Sequence, residues 1–73
     1  MTEQEIQEYI SENEPTTINK DEIGRWSERI WQLENSQIVE TYTYKYTVSQ
    51  VQNNVPRDAF KVSKVERKEI ANG

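Results

Sequence analysis

Three tyrosines at alternate positions, Tyr42, Tyr44 and Tyr46, are the residues whose type and spacing best suit ligand recognition. Alternate residues of a β-strand share one face, and aromatic rings on an open face can stack on nucleic-acid bases. The lysines that would then contact the phosphates are Lys45, Lys61 and Lys64. The interpretation that we favour makes the tyrosines the buried face of a sheet, because a helical apolar stripe elsewhere in the chain needs a partner surface.

The carboxylates are numerous, but they form no recognisable catalytic pattern. The chain has 13 acidic residues, no His and no Cys, which excludes an imidazole or thiolate metal site, a Cys nucleophile and a Ser-His-Asp triad. Asp21 and Glu22 lack the alternating oxygen ligands and the glycine of a calcium loop. Gly24 and Gly73 are the only glycines, so there is no glycine-rich phosphate loop. We therefore expect no enzymatic activity, no metal and no cofactor.

Charge is divided unevenly along the chain. Residues 1–40 hold ten carboxylates and three cations, a net charge of −7, whereas residues 41–73 hold six cations and three carboxylates, a net charge of +3. The acidic half would repel nucleic-acid phosphates and the basic half would attract them weakly. This division favours a protein partner over nucleic acid.

The length of 73 residues allows a single small domain. Hydrophobic residues make up 33% of the chain and the mean hydropathy is −1.03, so the core must be thin. No apolar run approaches the ~20 residues of a membrane span, and the acidic N-terminus has no basic leader. We expect no membrane association, and the absence of Cys fits a cytoplasmic location.

Two helices are predicted before the tyrosines. The first covers about residues 3–13, because Thr2 and Glu5 make a capping box and Ile6 lies one turn before the apolar pair Tyr9 and Ile10. Residues 1–15 hold little apolar surface, so we expect this helix to be loosely docked. The second covers about residues 20–34. It would be capped by Asn19 and would carry an apolar stripe at helical spacing, formed by Ile23, Trp26, Ile30 and Leu33.

From Gln37 the apolar period changes to two, which predicts a long strand over about 37–51 with a bend near Tyr46–Ser49. A second strand is predicted at about 59–68, with a bulge at Ser63 and Lys64. The alternative for this segment is a helix starting at Pro56. Residues 70–73 are expected to be a mobile tail. The predicted class is α+β, with the two helices packed on an antiparallel hairpin and the second helix covering the tyrosine face.

The residues that would contact a partner follow from this arrangement. A threonine-rich edge strand near Thr41–Ser49 would offer free backbone groups for strand pairing. Trp31 is either an interface anchor or a lid over the end of the core. The cations after residue 56 form a patch that is either solubilising or used to bind. The candidate contact residues are Trp31, Thr41, Thr43, Lys45, Thr47, Arg57, Lys61, Lys64 and Arg67.

The segment VPRDAFKVSKV at residues 55–65 resembles the last strand of the small T7-type phage inhibitors of bacterial RNA polymerase, in which a Val-Pro pair precedes Phe-x-Val-Thr-Arg-Val. The resemblance implies a helix packed on an antiparallel sheet, and binding to a polymerase subunit that blocks promoter engagement. Lys64 stands where that family uses an arginine. Glu66 stands in place of a second arginine, so this chain departs from the pattern there.

The leading hypothesis is a small non-enzymatic regulator that binds a bacterial host protein. The resemblance makes a phage-encoded inhibitor of host RNA polymerase the specific form of this hypothesis, acting in the host cytoplasm. One alternative is a protein that binds single- or double-stranded nucleic acid through the tyrosines and lysines. A further alternative is a structural homodimer that completes its sheet across a two-fold axis.

Overall fold

The computed structural model describes residues 1–72 and confirms the α+β class. Four strands form one antiparallel sheet in the order β1-β2-β3-β4, so each strand pairs with the next one along the chain. The elements in chain order are α1 (Glu3–Glu12), β1 (Thr17–Lys20), β2 (Trp26–Gln32), β3 (Ser36–Tyr44), α2 (Val48–Asn53) and β4 (Val62–Ala71). No helix among the described residues is long and apolar enough to cross a bilayer.

Helix α1 begins and ends close to its predicted bounds. The Thr2 hydroxyl accepts from the Glu5 backbone N–H, and the Glu5 carboxylate accepts from the Thr2 N–H, so the predicted capping box is confirmed. Ile6 is buried against Trp31 and Ile38 of the sheet. The sheet face on which α1 lies is called here the helix face.

The predicted second helix, residues 20–34, is wrong, because this segment forms most of the β1–β2 hairpin. A turn joins the strands, and in it the Asp21 carboxylate accepts from the backbone N–H groups of Ile23 and Arg25. Gly24 adopts a φ of +87°, a left-handed conformation that side chains disfavour. Asn19, the expected cap, instead donates across the strand pair to Glu28 at 3.1 Å. The apolar stripe therefore does not form on a helix.

The predicted long strand ends at Tyr44, well before residue 51, and α2 follows. Thr47 and Gln50 lie within the predicted strand but instead make a second capping box, at the start of α2. The strand predicted at 59–68 lies at Val62–Ala71, so the alternative helix over these residues is wrong. The predicted bulge is confirmed, since the register with β3 shifts between Val62 and Lys64.

The expected mobile tail overlaps the end of β4. Ile70 pairs with Gln37 and Ala71 pairs with Ser36. The Asn72 N–H donates to the Asn35 carbonyl at 3.1 Å, and Gly73 lies outside the described residues. Residues 70–72 are therefore tied to β3 and to the turn before it.

The tyrosine face packs in a different way from the prediction. The helix that was expected to cover it is not formed; β2 lies beside β3 in the sheet and brings Trp26 to 6.0 Å from Tyr42, measured between ring centroids. Tyr42 and Tyr44 are half-buried, and the Tyr44 hydroxyl donates to the Trp26 carbonyl at 2.7 Å. These two rings are thus held within the fold and form no open stacking platform.

Candidate binding cleft

The threonine-rich segment proposed as an open edge lies inside the sheet. Residues of β3 pair on one side with β2 and on the other with β4; Thr41, for example, pairs with both Glu28 and Glu66. The backbone of Thr43 pairs with Lys64. The predicted edge at Thr41–Ser49 is therefore wrong, and the free edges of this sheet belong to β1 and β4.

Trp31 lies in the core with 1% of its surface exposed. Its indole Nε1 donates to the Asn13 carbonyl at 2.8 Å, which ties the end of α1 to the sheet. Of the two roles that the sequence left open for Trp31, burial favours the lid over the core. A partner cannot reach the ring in this fold.

Three of the candidate cations meet at the end of the sheet beyond Tyr44. They line a cleft with a volume of about 700 Å³, called here the cationic cleft. Its lining residues are Lys45, Tyr46, Arg57, Asp58, Phe60 and Lys61. The cleft therefore combines three positive charges with one carboxylate and two aromatic rings.

The side chains of the cationic cleft are accessible. Phe60 is 61% exposed and lies beside the cations of the cleft, so its ring is accessible to a ligand there. The Lys45 ammonium lies 3.8 Å from the Asp58 carboxylate and 5.4 Å from the centre of the Tyr46 ring. Because this ion pair is long and exposed, it holds Lys45 only weakly against a competing anion.

Buried Arg25 fixes the two segments that form the cleft walls. Its Nη1 donates at 2.9 Å both to the Tyr46 carbonyl and to the Ala59 carbonyl, and its Nε donates to Asp21 at 2.7 Å. The guanidinium also lies 4.3 Å from the centre of the Tyr44 ring. One side chain thus connects the β1–β2 turn to both walls, so Arg25 is a positioning residue of the cleft.

Asp21 is held in its charged form by this arrangement. Burial alone would raise the pKa of Asp21, but hydrogen bonds from the Arg25 side chain and from the backbone N–H groups of Arg25 and Ile23 outweigh it, and the pKa is lowered. The turn therefore presents a carboxylate to Arg25 throughout the neutral pH range.

The remaining candidates lie outside the cleft. Thr47 caps α2, and its hydroxyl accepts from the Gln50 N–H. Lys64 is exposed on β4 and pairs with Glu66 at 3.0 Å. Arg67 points to the helix face, where its Nε donates to Glu40 at 2.7 Å. The predicted cationic patch is thus divided, and only its first part, Arg57 and Lys61, contributes to the cleft.

Glu40 is the centre of a buried polar cluster that the sequence analysis missed. The side chain is fully buried, and its two oxygens accept from Arg29 at 2.6 Å, from Arg67 and from the Tyr42 hydroxyl. Burial by itself would raise the pKa of Glu40, but these hydrogen bonds dominate and lower it. Burial and the bond to Glu40 raise the pKa of Tyr42 to about 12.

Arg29 completes the support of this cluster. Its guanidinium lies 4.9 Å from the centre of the Trp26 ring and 4.8 Å from the centre of the Trp31 ring, within the range of cation–π contacts. The cluster joins β2, β3 and β4 on the helix face, and each charged group in it has a partner. It is a structural element, which leaves the cationic cleft as the candidate binding site.

Asp58 and Phe60 of the cleft lining, and Arg25 behind it, are not among the candidate residues that the sequence indicates. Phe60 was assigned to a strand, and Arg25 to a helix. The one local signal for Arg25 is the spacing of Asp21, Gly24 and Arg25, which is typical of a turn closed by an aspartate side chain.

Comparison with protein families, with curated proteins and with solved structures finds no match.

Proposed function

We propose that this chain is a small, non-enzymatic regulatory protein that binds an acidic segment of a partner protein in the cationic cleft. The observation that carries the proposal is the convergence of Lys45, Arg57 and Lys61 around the exposed ring of Phe60. Cations attract and orient an acidic segment, and an exposed ring supplies apolar contact area.

The charge of the whole chain supports this choice of ligand. The net charge is −4, yet the cleft has three cations and one carboxylate. An acidic segment of a partner would therefore be attracted to the cleft more than to the rest of this acidic chain.

A capture experiment with a charge-reversed cleft tests the proposal. The wild-type chain, the double variant Lys45→Glu/Lys61→Glu and the control variant Lys68→Glu would each be immobilised and exposed to bacterial lysates. Lys68 is an exposed lysine on β4, opposite Val39 and outside the cleft lining, so its reversal makes a matched control. Circular dichroism would establish that all three chains are folded.

We expect one stoichiometric partner with the wild-type and control chains, and its loss with the cleft variant. Purified bacterial RNA polymerase is the first protein to add directly, since the segment at residues 55–65 resembles a strand of its phage inhibitors. Phe60→Ala should weaken the same complex, because it removes the exposed ring. Retention of the partner by the cleft variant, or no partner from several hosts, would contradict the proposal.

Nucleic acid is the second candidate ligand, because Tyr46 and Phe60 lie beside the same cations. Base stacking on the two rings and phosphate contacts to the cations would bind a single strand. This function predicts an electrophoretic shift of single-stranded probes that falls steeply with salt. A shift that persists in the Lys45→Glu/Lys61→Glu variant, or none at low salt, would rule it out.

A further inference from the structure

The outer edge of β4 is long, and among the described residues no strand pairs with it. The strand covers ten residues, of which nine are exposed and only Val65 is half-buried. The backbone N–H and C=O groups on such an edge are free to pair with another strand. Because the edge consists of charged residues on either side of Val65, its sequence restricts which strand can pair with it.

The sequence of β4 is complementary to itself in one register. Two identical antiparallel strands related by a two-fold axis must place one residue opposite its own copy. If that residue is Val65, then Lys64 lies opposite Glu66 of the second copy, and Glu66 opposite Lys64, which gives two attractive pairs. An axis through any of the next four residues would instead place a charged residue opposite its own copy. These residues are Glu66, Arg67, Lys68 and Glu69.

The two faces of the sheet are suited to this register. Lys64 and Glu66 project on the face opposite α1, where both are more than half exposed and lie 3.0 Å apart. In the pair of chains, two lysines and two glutamates would alternate around the axis. On the helix face, Val65 and Ile6 line a groove between α1 and β4, and the second Val65 would enter beside them.

We propose that two copies of this chain associate through antiparallel pairing of β4 in the register centred on Val65. The two four-stranded sheets then form one continuous sheet of eight strands. In this register the two strands pair over residues 62–68, and all six residues that line the cationic cleft precede Val62. A regulator of this form would present two equivalent clefts to its partners.

Charge reversal on β4 tests both the association and its register. The variants are Lys64→Glu, Glu66→Lys and the swap Lys64→Glu/Glu66→Lys, with Lys20→Glu on β1, the opposite edge, as the control. Sedimentation equilibrium would measure mass over concentrations from about 1 μM to about 1 mM, which covers weak and moderate dimers. Circular dichroism would confirm that each variant is folded.

The wild-type chain and the control should approach twice the monomer mass of 8.7 kDa as the concentration rises. Each single reversal turns both attractive pairs into repulsive ones, so its dissociation constant should rise by about tenfold or more. The swap should restore the dimer, and an equimolar mixture of the two single variants should form a heterodimer. A wild-type monomer at all concentrations, or a dimer that both reversals leave unchanged, would overturn the proposal.

Discussion

Replacement of Glu40 by alanine should remove most of the stability of this fold. Glu40 is fully buried and accepts hydrogen bonds from Arg29, Arg67 and Tyr42. Its loss leaves two guanidinium groups without their shared carboxylate, at 22% and 31% side-chain exposure. Breaking a buried ion pair by removing one member costs about 3–5 kcal/mol. A core of this size rarely contributes more than about 3–5 kcal/mol in total, so the variant should be largely unfolded at 25 °C.

Urea denaturation followed by tryptophan fluorescence would measure this loss, because Trp26 and Trp31 both contact Arg29. The matched control is Glu66→Ala, which removes an exposed carboxylate from the neighbouring strand and should change the midpoint little. A Glu40→Ala midpoint within error of the wild-type midpoint would show that the unpaired guanidinium groups cost little.

A triple replacement separates the cost of unpaired charge from the cost of lost packing. Arg29→Met/Glu40→Leu/Arg67→Met removes all three charges and keeps similar volumes. Because buried ion clusters are often no better than apolar residues of the same size, this variant should recover much of the stability that Glu40→Ala loses. A triple variant as unstable as Glu40→Ala would show that the loss of stability comes from the missing contacts of the cluster and not from unpaired charge.

Four further outcomes follow from single contacts. Arg25→Ala should cost at least ~3 kcal/mol and weaken partner binding at the cleft, measured by urea denaturation and by capture, since it removes the side-chain donor to Asp21 and to the Tyr46 and Ala59 carbonyls. Gly24→Ala should cost about 1–2 kcal/mol in thermal unfolding, because its φ of +87° strains an L-residue although its Cβ would meet no atom within 4 Å. Thr47→Ala should cost ~1 kcal/mol by the same assay, because it removes the cap of α2. Tyr42 should ionise near pH 12 in an ultraviolet titration. Because its pKa in the folded chain lies above the unfolded value of 10.0, the contribution of Tyr42 to stability should be lost as the pH rises from 10 to 12.

The lowered pKa of Glu40 also determines how the free energy of unfolding should change at acidic pH. Its pKa is lower in the folded chain than the ordinary value of 4.5, so the unfolded chain takes up the proton first. The stabilisation from Glu40 should therefore be complete above pH 4.5 and be lost as pH falls through the folded pKa. A Glu40→Gln variant should show a flatter stability profile in this acidic range, and an unchanged profile would contradict the linkage.

Helix α1 could be predicted because its signals are local. Thr2 and Glu5 lie three residues apart, and the apolar residues follow at helical spacing, so no distant segment is needed to define the element. The same local motif recurs at Thr47 and Gln50, where it marks α2. It was overlooked there because the preceding alternation of tyrosine and threonine favoured a continuing strand.

The β1–β2 hairpin could not be predicted from its own residues. Ile23, Trp26 and Ile30 have helical spacing, and nothing between residues 20 and 34 excludes a helix except the turn at Gly24. The segment is extended because β2 lies between two strands that satisfy its backbone groups, and one of them is β3. Strand propensity depends on such neighbours more than helix propensity does.

Local sequence patterns were enough to predict the α+β class, the first helix, the tyrosine strand and the bulged last strand, and the three cations of the cleft were all among the candidate residues. These features rest on capping, periodicity and charge, which act over a few residues. The burial of Glu40 between Arg29 and Arg67, and the link that Arg25 makes between the walls of the cleft, depend on the fold as a whole. Strand order and register bring together residues far apart in the chain, and a local pattern contains no information about that pairing.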